Sequence, residues 1–181
     1  MENEFKRLGR ELVYHGHVVD FYEDTIQVPN GNIAKWDFIK HNGAAAVVPV
    51  LPDGRILMVK QYRNALDQIT LEVPAGGREG DEPFIECSHR ELEEETGYRC
   101  ELEEMEHLIS IATTVAFCDE RIEVYVAKNL VKTNQNLDED EFVDVYPYTT
   151  KELSEMILSG KINDAKTIAS IMAYINKYEM K

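Results

Sequence analysis

The sequence is short of positive charge, of cysteine and of long apolar runs. Its 181 residues carry 19 Lys and Arg against 34 Asp and Glu, a net charge of −15. A chain this acidic is not built to lie along a nucleic-acid backbone or an anionic membrane. Cys87, Cys100 and Cys118 are the only cysteines and form no Cys-x-x-Cys pair. That argues against a zinc ribbon or a disulfide framework and for reduced thiols in a cytoplasmic protein. No stretch approaches the about 18 apolar residues of a membrane-spanning helix, and the N-terminal MENEFKRLGR lacks the apolar core of a signal peptide. Repeats and low-complexity segments are absent. What remains, 44% hydrophobic and 29% charged residues, is the profile of a globular domain of ordinary size with a sizeable core.

Alternation over residues 11–28 suits an extended strand. Pro29-Asn30-Gly31 is a hairpin turn, because Asn-Gly accepts positive φ at both central positions, and Ile33 to Lys40 is the returning strand. Ala44 to Leu51 is almost continuously apolar, as in a strand buried on both faces. Pro52-Asp53-Gly54 turns the chain into a strand over 55–62, and a short strand over 71–73 leads into Pro74-Ala75-Gly76-Gly77. Further strands are expected near 101–111, 122–128 and 142–147, with a polar loop over 132–141. Two helices close the chain, one over 151–159 capped by Thr150 and one over 165–178 capped by Asp164. On the second, Ile168, Ile171, Met172, Ile175 and Tyr178 form the core-facing stripe. Strands on both sides of a single central helix, with two helices at the end, make an α/β arrangement with a mixed sheet between helices. Residues 1–42 form a hairpin region that the domain over 43–181 does not need. A lone hairpin is marginal in water, so a second subunit is expected to cover it.

The densest pattern is GGREGDEPFIECSHRELEEETGY, from Gly76 to Tyr98. Pro83 suits the first turn of a helix and Gly97 its end, with Asp81 or Glu82 available as a cap. The helix then runs from about Pro83 to Thr96. Glu91, Glu94 and Glu95, three and four apart, share one face, with Leu92 and Ile85 on the core side. Like charges so placed repel by a few tenths of a kcal/mol per pair (about 0.2–0.5); a hard divalent cation with oxygen ligands reverses that sign. Arg90 is placed to pair with a neighbouring carboxylate and hold its orientation. Glu91 to Glu95 alone would read as a solvated acidic face. The full spacing is another matter: Gly76, five residues, Glu82, seven residues, then Arg90-Glu91-Leu92-x-Glu94-Glu95-x-Gly97-Tyr98. Its chance occurrence per start point is well below ~1 in a million at ordinary residue frequencies.

That spacing resembles the signature of the Nudix hydrolases, which cleave a diphosphate linked to another group. The resemblance implies a Nudix-type α/β/α sandwich. It extends beyond the box to Val59-Lys60-Gln61-Tyr62-Arg63, Leu71-Glu72-Val73-Pro74-Ala75-Gly76, Asp138-Glu139-Asp140-Glu141-Phe142 and Asp164-Ala165-Lys166-Thr167, all similar to the ADP-ribose pyrophosphatase subfamily. The implied activity is Mg²⁺-dependent (or Mn²⁺-dependent) hydrolysis of ADP-ribose, or a related nucleoside diphosphate sugar, with AMP and ribose 5-phosphate as the ADP-ribose products. Two or three ions are implied, and a homodimer in which the N-terminal hairpin reaches across to its partner. Another nucleotide sugar or a dinucleotide is the alternative substrate, and a non-catalytic sensor of ADP-ribose-like ligands is the alternative from another class.

Carried over residue by residue, the resemblance gives Ala75 a backbone carbonyl on a metal. Glu91 and Glu95 become carboxylate ligands, and Glu94 a further ligand or helper. Arg63 and Glu72 line the substrate cleft, Trp36 and Asp37 stack on and hydrogen-bond the adenine from across a subunit interface, and Glu120 acts as the base. Each residue also has a plainer reading: Arg63 as the ion-pair partner of Glu72 or Asp67, Trp36 as strand packing, and Glu120 as a surface loop acid. His41, His89 and His107 share no spacing and read as surface or local hydrogen-bonding groups. One stretch departs from the subfamily, which carries Ser-Pro-Gly after the box. Here Thr113-Thr114-Val115-Ala116-Phe117 puts Val115 for the proline and Ala116 for the glycine. That puts in question which sugar or nucleotide lies beyond the diphosphate, not the metal chemistry.

Overall fold

A computed structural model describes residues 4–139 and 141–180; Met1 to Asn3 and Asp140, which the sequence reading used, lie outside the described residues. The chain forms two compact units, one of residues up to Gly43 together with Ala112–Arg121, the other of Ala44–Ile111 with Ile122–Lys181.

The first unit is a three-stranded antiparallel sheet, β1 (Lys6–His15), β2 (Asp20–Gln27) and β3 (Ile33–Lys40), in the order β1-β2-β3. The single strand expected over 11–28 is therefore two. Gly16 makes the break: its N–H donates to the Val19 carbonyl at 3.1 Å, and a Cβ there would lie 2.6 Å from that oxygen, so only glycine fits. The hairpin is accordingly a meander. Its anchor is Arg10, whose Nε and Nη2 grip the two Asp24 oxygens at 2.6 and 2.7 Å. The guanidinium also lies 3.4 Å from the centre of the Phe38 ring. A bidentate pair stacked on an aromatic is the geometry arginine serves best, and Asp24 is buried. The end of β3 is bridged to Cys118, with Ile39 N–H donating to the Phe117 carbonyl at 2.6 Å.

The second unit contains β4 (Ala44–Pro49), β5 (Ile56–Arg63), β6 (Gln68–Glu72), β7 (Ala75–Gly77), α1 (Phe84–Thr96), β8 (Tyr98–Arg99), β9 (Met105–Ala112), β10 (Arg121–Ala127), β11 (Val131–Lys132), β12 (Val143–Tyr148), α2 (Thr150–Leu158) and α3 (Ala165–Tyr178). A mixed sheet runs β7-β4-β10-β9, with β4 parallel to β10 and antiparallel to β7; a second, antiparallel sheet runs β12-β5-β6. Strand β4 is buried along its whole length. Ala44, Ala46 and Val48 pack with Ile122, Val124, Val126 and the α2 and α3 residues Leu153, Ile171 and Tyr174. Val47 packs on the other face with Leu92 of α1, Cys100, Met105 and Ala127. This is the layering that puts α1 against one face of the sheet and α2 and α3 against the other.

Several local expectations are corrected. Pro83 is itself the cap of α1 and supplies no side-chain bond; the Glu82 carboxylate instead accepts from the Glu79 N–H at 2.8 Å. The cap of α2 is Thr149, one residue earlier than expected, in a reciprocal capping box with Glu152. The stripe of α3 includes Tyr174 but not Met172, which is exposed. At the start of the stretch expected to be a loop, Lys132 is in a short strand with Val131 that pairs with Tyr98–Arg99.

Candidate active site

Strand β7 and helix α1 bring Ala75, Gly76, Glu91, Glu94 and Glu95 together, and the glycine decides how closely. A Cβ on Gly76 would lie 1.9 Å from Glu91 Oε1, so the Glu91 carboxyl rests directly on the glycine backbone. One turn on, Glu95 Oε2 accepts from the Ala75 N–H at 3.0 Å. Helix spacing sets the two carboxylates side by side, and the three-residue strand β7 supplies the wall they meet. Gly97 ends the helix at φ 66°, the left-handed conformation that glycine adopts without strain.

Both carboxylates are buried. Burial pushes Glu91 up to about 7, against the opposing pull of Arg90. It pushes Glu95 up to about 8, with the Glu91 charge adding to the shift. Glu141, from the loop before β12, raises both further by its own charge. Three acidic groups thus bear on one spot, and burial outweighs the pull of Arg90 on Glu91 and of Arg63 on Glu95.

Arg90 braces the cluster from one side. Its Nη1 donates to Glu91 Oε1 at 2.7 Å and Glu94 Oε2 at 2.8 Å; its Nη2 donates to Glu82 Oε1 at 2.9 Å and the Gly77 carbonyl at 3.1 Å. The box positions Glu82, Arg90, Glu91 and Glu94 are therefore one hydrogen-bonded assembly. Among the described residues no three acidic, His or Cys side chains form a finished cation cage, and Arg90 stands among the carboxylates. The donor set still fits a hard divalent cation. It consists of oxygens only, two of its carboxylates are buried, and Gly76 leaves the Glu91 carboxyl the space that a Cβ would occupy. Gly76→Ala should displace the Glu91 carboxyl while leaving the fold nearly intact, since the clash meets the end of a flexible side chain. Divalent-cation affinity, measured by calorimetry, should fall about 10–100-fold, the range seen when a ligand loses its support.

A second network lies in the same unit. Glu72 is 2% exposed. Arg63 donates to it from Nε at 2.8 Å and Nη2 at 2.7 Å, Thr70 Oγ1 at 2.5 Å, and Lys166 Nζ contacts Oε2. Lys166 also reaches Asp164, which caps α3 through the Thr167 N–H, and the Thr167 side chain accepts from the Val73 N–H. Burial disfavours the Glu72 charge, but Arg63, Lys166 and Thr70 outweigh it and hold the group down at about 2. Glu72 is thus buried within this network, and it takes two donors of the Arg63 fork.

Trp36, Asp37 and Glu120 belong to the other unit. Trp36 is 48% exposed, with the Phe5 ring 5.8 Å away at a 41° tilt, so it is not core packing. Asp37 stands opposite Glu23 on β2 and is exposed. Glu120 Oε2 accepts from Thr113 Oγ1 at 2.6 Å, and His41 Nε2 lies 3.6 Å from Oε1. The Thr114–Phe117 stretch forms a tight turn, with the Phe117 and Cys118 N–H groups both directed at the Thr114 carbonyl. Neither Val115 nor Ala116 has positive φ, so this turn needs no glycine. Elsewhere, His89 bonds the Cys100 carbonyl and His107 bonds Glu123, and all three cysteines are free thiols.

Sequence reasoning left Lys166 and Glu141 without roles. Both stood in quoted segments, but only tertiary contacts bring Lys166 onto Glu72 and Glu141 toward α1.

Known proteins resemble this chain in sequence and in fold. The chain is 43% identical over 171 residues to the methanol dehydrogenase activator of Bacillus methanolicus, covering 93% of this chain and 91% of that protein. It is 38% identical over 171 residues to the ADP-ribose pyrophosphatase of Bacillus subtilis, with the same coverage. A crystal structure of an ADP compounds hydrolase has the same fold, with a TM-score of 0.86 over 98% of this chain and 97% of that one at 16% identity. The Nudix domain family matches residues 40–171, which hold the whole glycine-and-carboxylate constellation around α1, and the chain belongs to that family.

Proposed function

We propose that this protein hydrolyses the diphosphate bond of ADP-ribose, or of a closely related nucleoside diphosphate sugar, with divalent cations; from ADP-ribose the products are AMP and ribose 5-phosphate. The observation that carries the chemistry is the pair of buried carboxylates, Glu91 and Glu95, set against the Gly76 backbone. The substrate class rests on the relatives. The proteins of Bacillus subtilis and, at 29% identity, Mycobacterium tuberculosis are ADP-ribose pyrophosphatases, and a mouse relative 31% identical over 61% of this chain is an ADP-sugar pyrophosphatase.

In this reading Glu91, Glu95 and the Ala75 carbonyl hold two or three Mg²⁺ or Mn²⁺ ions, with Glu94 and Glu141 as further oxygen donors. Such ions, when bound, neutralise the diphosphate and lower the pKa of an attacking water. Arg90 fixes the directions of Glu91 and Glu94. Arg63 keeps Nη1 for a phosphate oxygen while Glu72, itself braced by Lys166, accepts from Nε and Nη2, so Glu72 is a support rather than a substrate contact. Trp36 offers a flat face for the adenine and Asp37 a hydrogen bond. Glu120 removes the proton from the water, oriented by Thr113 and His41. The sheet of β1, β2 and β3 serves a homodimer, supported by the exposed Leu8, Leu12, Val13 and Tyr14 of β1; sedimentation as a monomer at every concentration would exclude it. Free thiols fit a reducing compartment such as the cytoplasm.

A panel of nucleoside diphosphate sugars and dinucleotides with Mg²⁺ tests this reading, with ADP-ribose expected to give the highest kcat/KM. Absence of turnover on every diphosphate, with ligand binding intact, would establish the sensor instead. Better turnover of another nucleotide sugar would trace specificity to the Val115 turn. In the same assay Glu120→Gln should lower kcat about 10²–10⁴-fold; a loss under about tenfold moves the base elsewhere.

The 43% identity to the methanol dehydrogenase activator favours a second reading, in which the same hydrolytic site acts in the company of a dehydrogenase. Its test is whether methanol dehydrogenase turnover rises with this protein present and fails to rise with the Glu95→Gln variant.

A further inference from the structure

The C-terminal end of α1 is held by a loop that is not part of the Nudix box. The last carbonyls of any helix lack intrahelical partners, and α1 carries Glu94 and Glu95 in that final turn. Here the Glu93 carbonyl accepts from the Gly97 N–H at 2.9 Å. The Glu94 carbonyl accepts from the Asn136 N–H at 3.0 Å, and the Gly97 carbonyl from the Thr133 N–H at 2.7 Å. The Glu95 carbonyl is different, because it is met by a side chain. Gln135 Nε2 donates to it at 2.6 Å and to the Val143 carbonyl at 3.2 Å.

That one amide ties together two pieces of chain. One is the helical turn bearing Glu91 and Glu95. The other is the start of β12, two residues after Glu141, whose charge both helix carboxylates feel. A primary amide has two N–H donors and can serve two carbonyls at once. The fit is close, for a Cβ on Gly97 would lie 3.0 Å from the Gln135 backbone nitrogen. Glycine at the end of the helix therefore answers two needs: the left-handed φ, and room for this loop.

We propose that Gln135 is a positioning residue that sets the spacing between the carboxylates of α1 and Glu141, and thereby the affinity for divalent cations, without touching cation or substrate. This rests on the reading that those carboxylates hold the cations. If the spacing is set by the amide, removing its donors lets the loop before β12 shift relative to α1, and the oxygen donors no longer converge. Folding need not suffer greatly, because the Asn136 and Thr133 N–H bonds to the helix end remain.

The test uses the full chain and Mn²⁺ alone, with binding read by electron paramagnetic resonance. Gln135→Met keeps the length of the side chain and removes its donors; it should weaken Mn²⁺ binding about 10–100-fold, as loss of an orienting partner does. At saturating Mg²⁺ its KM for the nucleotide substrate should stay within about twofold of wild type, since catalysis is then limited by substrate contacts the amide does not make. Gln135→Lys, which restores donors of similar reach, should recover part of the loss. Ile171→Val, in the core beneath α3, is the control: it should lower Tm without changing Mn²⁺ affinity. Unchanged Mn²⁺ affinity in Gln135→Met would overturn the proposal and leave the amide a purely structural bond. Equal weakening in the Ile171→Val control would overturn it too. Failure of the wild type itself to bind Mn²⁺ would overturn the cation reading and this proposal with it, an outcome the wild-type titration separates from the others.

Discussion

Glu95→Gln is expected to lose nearly all turnover while folding as well as the wild type. The change replaces a carboxyl by an amide of nearly the same volume that cannot ionise. The amide oxygen can still accept from the Ala75 N–H, which meets Glu95 Oε2 at 3.0 Å, and a buried neutral amide escapes the desolvation that burdens a buried carboxylate. Stability should therefore change by less than about 1 kcal/mol, a few °C in Tm for a chain of this size. Catalysis has no such compensation. Metal ions contribute several kcal/mol of transition-state stabilisation, and each 1.4 kcal/mol is tenfold in rate, so kcat should fall about 10²–10⁴-fold. Glu91→Gln should behave alike, with the Arg90 contact at 2.7 Å weakened from a charge-assisted to an ordinary hydrogen bond. Single-turnover rates alongside thermal melts check both. Turnover that survives both substitutions would remove the carboxylate pair from the mechanism.

The second large effect is on stability. Glu72→Gln should destabilise the protein by about 3 kcal/mol, because removing one member of a buried ionic group strands the others. Lys166 is the more exposed to this loss: its side chain is 12% accessible, whereas Arg63 is 38% accessible and partly solvated, which trims its share. For a domain of this length the fall in Tm is about 6–12 °C. The pH dependence carries the same signature. The folded-state pKa of Glu72 is about 2, below its ordinary value of 4.5. Its contribution is thus fully present above the ordinary value and is lost as pH falls toward 2. Urea midpoints measured between these limits should fall more steeply with acidification for the wild type than for Glu72→Gln. Parallel slopes would show that the network adds no charge-dependent stability.

The two effects mark different kinds of legibility. The carboxylate face of α1 could be read from spacing alone, because three- and four-residue intervals on a helix dictate which side chains are neighbours. Arg90 was legible for the same reason. The Glu72 network was not: Arg63 and Glu72 are nine residues apart on paired strands, and Lys166 joins them over 94 residues. The split of residues 11–28 into two strands also escaped the pattern, because alternation continues on both sides of a turn. Gly16 was the clue, and only the Val19 carbonyl beside it shows why no other residue would serve.

The order of elements, the helix with its acidic face and the glycines that bound it were determined by the sequence itself, since backbone preference and side-chain periodicity act over a few residues. The tertiary structure alone decided which acids are buried together, which arginine donors are already taken, and which loop closes the end of α1. Those depend on contacts between distant segments, where burial turns an ordinary carboxyl such as Glu95 into one pushed up to about 8 and an equally ordinary one, Glu72, into one held at about 2. Both are glutamates inside the same unit. The difference is the countercharge that folding brings to each, and local sequence does not record it.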